Sequence, residues 1–517
     1  DDDLERTQSK KMARHLGAPL LSEDSQQPMH GMPTDDDLAL HFDDPTLLRG
    51  ASSHTLLKNR SEIFSSNVLS SKDVAELHRT TAVVPKLDDF YSHSWATERF
   101  DKWATLLLYM NAPAAAVALV ATAVLWSALE NIGSIPTLLL LVQDGQPTSC
   151  MPILVGYFSG ILTLFQWQRM RQLFGLPPRM CFLDKICIDQ VDEVRKSAGI
   201  ASLGAFLGSS TNFVVLFSPE YFTRLWCCYE VACFYQVQNL NPGSSTIRFV
   251  PVGFARVIGA YSLLGAVYGL SHAFLPLYGP LIGIDPIDLS DGQYDAVCAF
   301  ANIFSILTMY ECQRYAAASE QIEAQMADFS ITRAECFDER DRVRIEREVA
   351  KWFGSGDRER GVRAFDAYVR QDIRTAMEKL AGTRDTLSAN LPWVYLFFSG
   401  GAGILEDIAS LCKLQELRTW DEIANSFMSD TSCALVGTPI CPVIFLWLAT
   451  KKFRFCGGWP MMLLAPFIAQ LLEKMFIVGE LSDDVTTNAC QYVAVLLFGV
   501  WVFRESLLGI CGCGGKR

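Results

Sequence analysis

From residue 1 to about residue 80, polar and apolar positions follow no helical or strand period. Asp-Asp-Asp-Leu occurs there twice, at Asp1–Leu4 and Asp35–Leu38, which is too little for a repeat architecture. The pattern predicts a flexible polar arm over residues 1–80, with one short helix near Lys72–His78, because such a stretch cannot bury enough apolar surface to offset its ordering entropy. Eight apolar windows follow: Ala112–Leu129, Met151–Trp167, Val257–Leu277, Tyr294–Tyr310, Leu391–Leu405, Ser432–Thr450, Trp459–Ile477 and Ala489–Phe503. About 20 apolar residues cross ~30 Å of hydrocarbon. The windows therefore predict an α-helical, multi-pass integral membrane protein, with a hairpin over 112–167, a second over 257–310 and a C-terminal bundle over 391–510.

Loop charges set the expected orientation. Arg169, Arg171 and Arg179 follow the second window, Lys451, Lys452 and Arg454 the sixth, and Arg504, Lys516 and Arg517 the eighth. Alternate loops are acidic, with Asp285, Asp288 and Asp291, then Glu480, Asp483 and Asp484. This bias predicts both termini on the cytosolic side; which membrane is involved is not legible. The first thirty residues have no apolar core, so no signal peptide is expected.

Two blocks between windows have globular patterns. Residues 315–390 contain Ser330–Phe353 and Arg360–Leu380, each with apolar positions at helical spacing, separated by Gly354–Asp357. They predict a helical module with one apolar face. Residues 180–252 read as α/β. Met180–Leu183 is a short apolar strand, Ser197–Leu207 a helix, and Asn212–Phe217 a continuous apolar run of the kind that forms a buried parallel strand. Leu225–Gln236 is a helix and Ile247–Val252 a further strand. Parallel sheets place ligands at the C-terminal ends of their strands, where Asp184, Ser218 and the helix carrying Glu230 fall.

Composition narrows the function. Half of the 517 residues are hydrophobic and 20% are charged, and the mean hydropathy is +0.18. The net charge of −13 argues against nucleic acid as a partner. The 16 cysteines are scattered, several inside apolar runs, and form neither a disulfide framework nor a zinc pattern. No metal site and no cofactor are expected.

The stretch from Phe217 to Val231, with Ser218, Tyr221, Trp226, Cys227 and Glu230, resembles the signature of TIR domains, in which a strand ends in Ser-x-x-Tyr and Trp-Cys-x-x-Glu opens a helix. Phe182-Leu183-Asp184 resembles the family's second strand and the start of its BB loop, and Phe249–Val252 its fourth strand. Leu87–Ser94 is similar to its opening strand, aligned on Asp88, Phe90 and Ser92. The resemblance covers residues 83–111 and 180–252. It implies a split TIR-like domain with a parallel sheet, the 112–167 hairpin being inserted in its first crossover. The glycine-bearing segment that plant TIR domains carry after the first strand is replaced by Ser92–Trp95, and a fifth strand is not seen.

The family implies two activities: hydrolysis of NAD+ at the nicotinamide–ribose bond, and assembly with other TIR-like domains or further copies. In the hydrolases the Glu of Trp-Cys-x-x-Glu is the catalytic residue, here Glu230, since a carboxylate beside the ribose can stabilise a cationic sugar. The alternative for Glu230 is an ion pair with Arg224. Ser92, His93, Asp184, Ser218 and Trp226 are the expected substrate-binding residues, with NAD+ as substrate. Ser92 and His93 are expected to form the wall opposite Glu230. Cys227 and Cys228 stand at a helix start, where a thiol pKa can fall. Cys511 and Cys513 read as lipidation candidates after the last window. The expected function is signalling by a bilayer-embedded protein through its TIR-like domain; the alternative is a channel or transporter that this domain regulates.

Overall fold

The computed structural model describes residues 42–58, 62–64, 71–136, 140–143, 146–149, 151–273, 281, 299–300, 302–381, 428, 438–450, 459–476 and 487–497. In chain order the strands are β1 (Arg49–Ser52), β2 (Ala82–Val83), β3 (Leu87–His93), β4 (Leu140–Gln143), β5 (Gln146–Ser149), β6 (Met180–Phe182), β7 (Ser210–Phe217) and β8 (Thr246–Pro251). Six of them form one mixed sheet in the order β2-β1-β6-β3-β7-β8. β6, β3, β7 and β8 run parallel, while β1 pairs antiparallel with both β6 and β2. β4 and β5 form a separate antiparallel hairpin.

β3 lies between β6 and β7. Phe90 is in register with Phe182 on one side and Phe213 on the other. The ring of Phe90 stacks on Phe182 at 4.6 Å and meets Phe213 at 5.8 Å. Side chains alternate between the faces of a strand, so Phe90 and Ser92 share one face of the sheet. Tyr91 and His93 share the other, under the helix Arg99–Asn131. That helix is continuous from the domain into the first apolar window, with Pro113 in its interior. Inside the expected polar arm, the helix expected near Lys72–His78 is Ser71–Arg79, and residues 49–52 form a strand. Arg-Gly-Ala-Ser has no strand signature of its own; it is a strand because it pairs with the edge of β6.

The multi-pass expectation is corrected here, and with it the fold class and the membrane topology drawn from it. Among the described residues one helix, Arg99–Glu130, is long and apolar enough to cross a membrane. A single such helix is weak evidence, because core helices of globular proteins have the same length and composition. The fourth window and its helix do not coincide. Ser305–Ala327 begins inside the fourth window and runs on into polar sequence. The helix Thr438–Thr450 is described over 13 residues. The helix Phe254–Ala273 has 20 residues, of which Phe254–Val267 form an apolar stretch. The fifth window and parts of the third, fourth, sixth, seventh and eighth lie outside the described residues, as do Cys511 and Cys513. The channel alternative rested on the same span count.

The helices Glu339–Gly354 and Arg358–Tyr368 form the expected hairpin and pack on the helix Leu225–Leu240. Tyr229 stacks on Trp352 at 6.1 Å, and Tyr235 on Phe353 at 4.2 Å. One hydrophobic core therefore runs from the sheet into this module. The hairpin closes on glycine: a Cβ at Gly361 would lie 2.5 Å from the Cα of Ala350. The neighbour is backbone, so the two helices would have to separate. Gly361→Ala is expected to destabilise the fold by about 1–3 kcal/mol, read as a lower denaturant midpoint.

Candidate functional site

The site lies at the C-terminal ends of β3, β6 and β7. On the Ser92 face, Ser92 is fully buried and its hydroxyl donates a short hydrogen bond to Oε2 of Glu230. The Tyr221 hydroxyl lies 2.5 Å from Ser92 Oγ. Once Ser92 spends its proton on an ionised Glu230, Tyr221 is the donor of that second bond, giving a chain of hydroxyls that ends on the carboxyl. Tyr221 is buried in the turn between β7 and the following helix, and Glu230 projects from that helix's second turn. The strand-end motif therefore assembles Ser92, Tyr221 and Glu230, although Ser92 is distant in sequence.

Burial pushes the Glu230 carboxyl up to about 8; the Ser92 bond opposes the rise and the nearby Asp184 charge adds to it. Asp184 opens the short helix after β6. Burial raises its pKa too, against hydrogen bonds from the Lys185 backbone and the Trp95 indole. Trp95 Nε1 donates to Asp184 Oδ2 over 3.3 Å. Two carboxyls that resist ionisation thus share one strand-end region, as acid–base sites do. A raised carboxyl pKa also carries a stability consequence. The folded chain holds the Glu230 proton up to about pH 8, whereas an unfolded chain releases it near ~4.3. The protonated form's contribution is fully present below the lower value and is lost as pH climbs to the upper. Glu230→Gln should therefore gain stability relative to the wild type between pH 5 and pH 8.5, measured as the difference in melting temperature at each pH.

The other expected residues divide. Ser218 is buried, and its hydroxyl lies 2.7 Å from Thr97 Oγ1. Trp226 packs edge-on against Tyr229 at 5.6 Å and makes no hydrogen bond to Glu230 among the described residues. His93 does not share a wall with Ser92, because adjacent strand residues point to opposite faces. Its ring instead meets Phe64 at 5.1 Å and Trp95 at 4.4 Å. Burial drives its pKa well down, and the Lys102 and Lys185 charges lower it further. The Glu230–Arg224 ion pair is not formed. Arg224 Nη1 bonds Glu335 at 2.8 Å, and the Glu335 backbone clamps the same loop, taking the Leu225 N–H and donating to Thr223 O. Cys227 and Cys228 are buried, and that burial pushes the Cys227 thiol well up, which outweighs any lowering at the helix start.

Three participants were not singled out from sequence. Lys102 is fully buried and donates to the Ser94 carbonyl over 3.1 Å; burial brings its pKa down to about 8. Trp95 lies beneath two ammonium groups, with Lys102 Nζ 5.3 Å and Lys185 Nζ 5.0 Å from its ring centre. Phe64 arrives from the N-terminal segment. A lysine one turn into a helix that follows a strand end was the only sequence signal for this cluster. Set against models of protein families, curated proteins and solved structures, the chain matches none.

Proposed function

We propose that the strand-end cluster hydrolyses NAD+ at the nicotinamide–ribose bond, in a TIR-like domain that works as an assembly of copies. One observation carries the reading: a desolvated Glu230 carboxyl at the end of a parallel sheet, held by the Ser92 hydroxyl with Tyr221 behind it. The C1′–N bond breaks with its electron pair going to nicotinamide. The ionised Glu230 carboxylate faces the cationic ribose, water adds at C1′, and its proton is released to give ADP-ribose. The pyridinium charge of NAD+ favours the ionised carboxylate when it binds, offsetting the raised pKa of the empty site. Desolvation makes that carboxylate more effective against a developing cation than it would be in water.

The test is nicotinamide release by the full chain under clustering conditions. Glu230→Gln keeps the shape and removes the charge, so turnover should fall at least tenfold, about 1.4 kcal/mol of barrier. Equal release by the two proteins would reject catalysis and leave assembly as the activity of the domain.

A further inference from the structure

Lys102 and His93 are held under conditions that a packed core does not ordinarily tolerate. Lys102 is fully buried, and among the described residues no carboxylate stands within ion-pair distance; its hydrogen bond is to the Ser94 carbonyl. His93 is 7% exposed, and its Nε2 is buried without a hydrogen-bond partner. Isolated buried charge and unpaired buried polar atoms are both costly. Both groups border the same side chain. Phe64 is 1% exposed; its ring meets the His93 imidazole edge to face at 5.1 Å and lies 5.6 Å below Lys102 Nζ. Trp95 completes the enclosure, 4.4 Å from His93.

Phe64 belongs to the single turn Glu62–Phe64. Among the described residues that turn makes no backbone hydrogen bond to another element. Its ring sits at the strand ends, where parallel sheets bind ligands; it offers the Lys102 ammonium a cation–π contact but has no atom that can hydrogen-bond either group.

We propose that Phe64 occupies a subsite for a purine base, walled by His93, Trp95 and Lys102, and that displacement of Phe64 opens that subsite to the adenine end of a dinucleotide. This rests on the reading of the Glu230 cluster as the NAD+-cleaving centre. A purine suits the walls better than phenyl does. Its ring nitrogens accept hydrogen bonds that an ammonium or imidazole can donate, and its face stacks on an indole. The cationic nicotinamide ring would be repelled by Lys102 and Lys185 and is matched instead by Glu230. The two ends of the substrate are thus sorted across the β3 edge, with Glu230 on the Ser92 face and Lys102 beside Phe64 and His93 on the other.

Calorimetric titration of the full chain with AMP tests the subsite, and nicotinamide mononucleotide serves as the control of matched ribose and phosphate. Phe64→Ala should bind AMP at least tenfold more tightly than the wild type, about 1.4 kcal/mol, with no change for nicotinamide mononucleotide. Adding Lys102→Met should cancel the gain. Equal AMP affinity in wild type and Phe64→Ala overturns the proposal, as does a gain that survives Lys102→Met. If Phe64→Ala does not fold, Phe64→Leu keeps the apolar bulk and should show at least a threefold gain, its absence being equally decisive. AMP gain without nicotinamide release rejects hydrolysis and keeps the subsite. Glu230-dependent release with unchanged AMP affinity rejects the subsite and keeps hydrolysis.

Discussion

Phe90→Asp is expected to abolish the folded sheet. Phe90 is fully buried in the central strand and touches aromatic rings on both neighbouring strands. Losing a buried phenylalanine costs about 3–5 kcal/mol, and the carboxylate put in its place would sit among the Phe182 and Phe213 rings, adding the desolvation of a charge. Together these rival the ~5–15 kcal/mol by which domains are stable. Circular dichroism and gel filtration read the outcome. Phe90→Leu, which keeps most of the apolar volume, should remain folded with a modestly lower melting temperature. A native-like Phe90→Asp would mean that β3 does not occupy the centre of the sheet.

Arg179→Met should be nearly as damaging, for a different reason. Asp89 is buried at the N-terminal end of β3. Arg179 Nη2 lies 2.7 Å from each of its oxygens, Asn212 Nδ2 donates at 2.9 Å and Tyr91 OH at 3.0 Å. The Arg179 side chain is one-third exposed and Asp89 not at all, so removing the arginine strands the buried partner. Breaking such a pair costs about 3–5 kcal/mol, whereas replacing both partners with apolar groups costs far less. Urea denaturation of Arg179→Met, Asp89→Leu and the double variant measures the coupling. The double variant should be more stable than Arg179→Met alone, and strict additivity would show that the pair is not coupled.

The two ends of β3 were legible to different degrees. The apolar run Asn212–Phe217 announces a buried strand, and the Ser-x-x-Tyr and Trp-Cys-x-x-Glu spacings place Tyr221 and Glu230 just past its end. The Ser92–Glu230 bond joins two segments far apart in the chain. The opposition of Ser92 and His93 was also legible, since it follows from the two-residue period of a strand. Treating the two residues as one wall overlooked that period.

The membrane reading failed where local composition was asked to report a property of three-dimensional context. An apolar window measures the cost of contact with water, and burial in a protein core relieves that cost as well as a lipid does. Only helix length and neighbours separate the two; the helix Ser305–Ala327, for example, runs from the fourth window on into polar sequence.

The sequence by itself determined the elements whose cause is local: the buried strands, the paired helices around Gly354–Asp357, and the location of Glu230 beyond a strand end. Only the tertiary structure decided that Arg224 pairs with Glu335 rather than Glu230, that Arg49–Ser52 becomes a strand, and that Phe64 lies between His93 and Lys102. Each of these joins segments far apart in the chain. Their energies come from desolvation and pairing at a shared location, and periodicity along the chain carries no record of which distant segment supplies the partner.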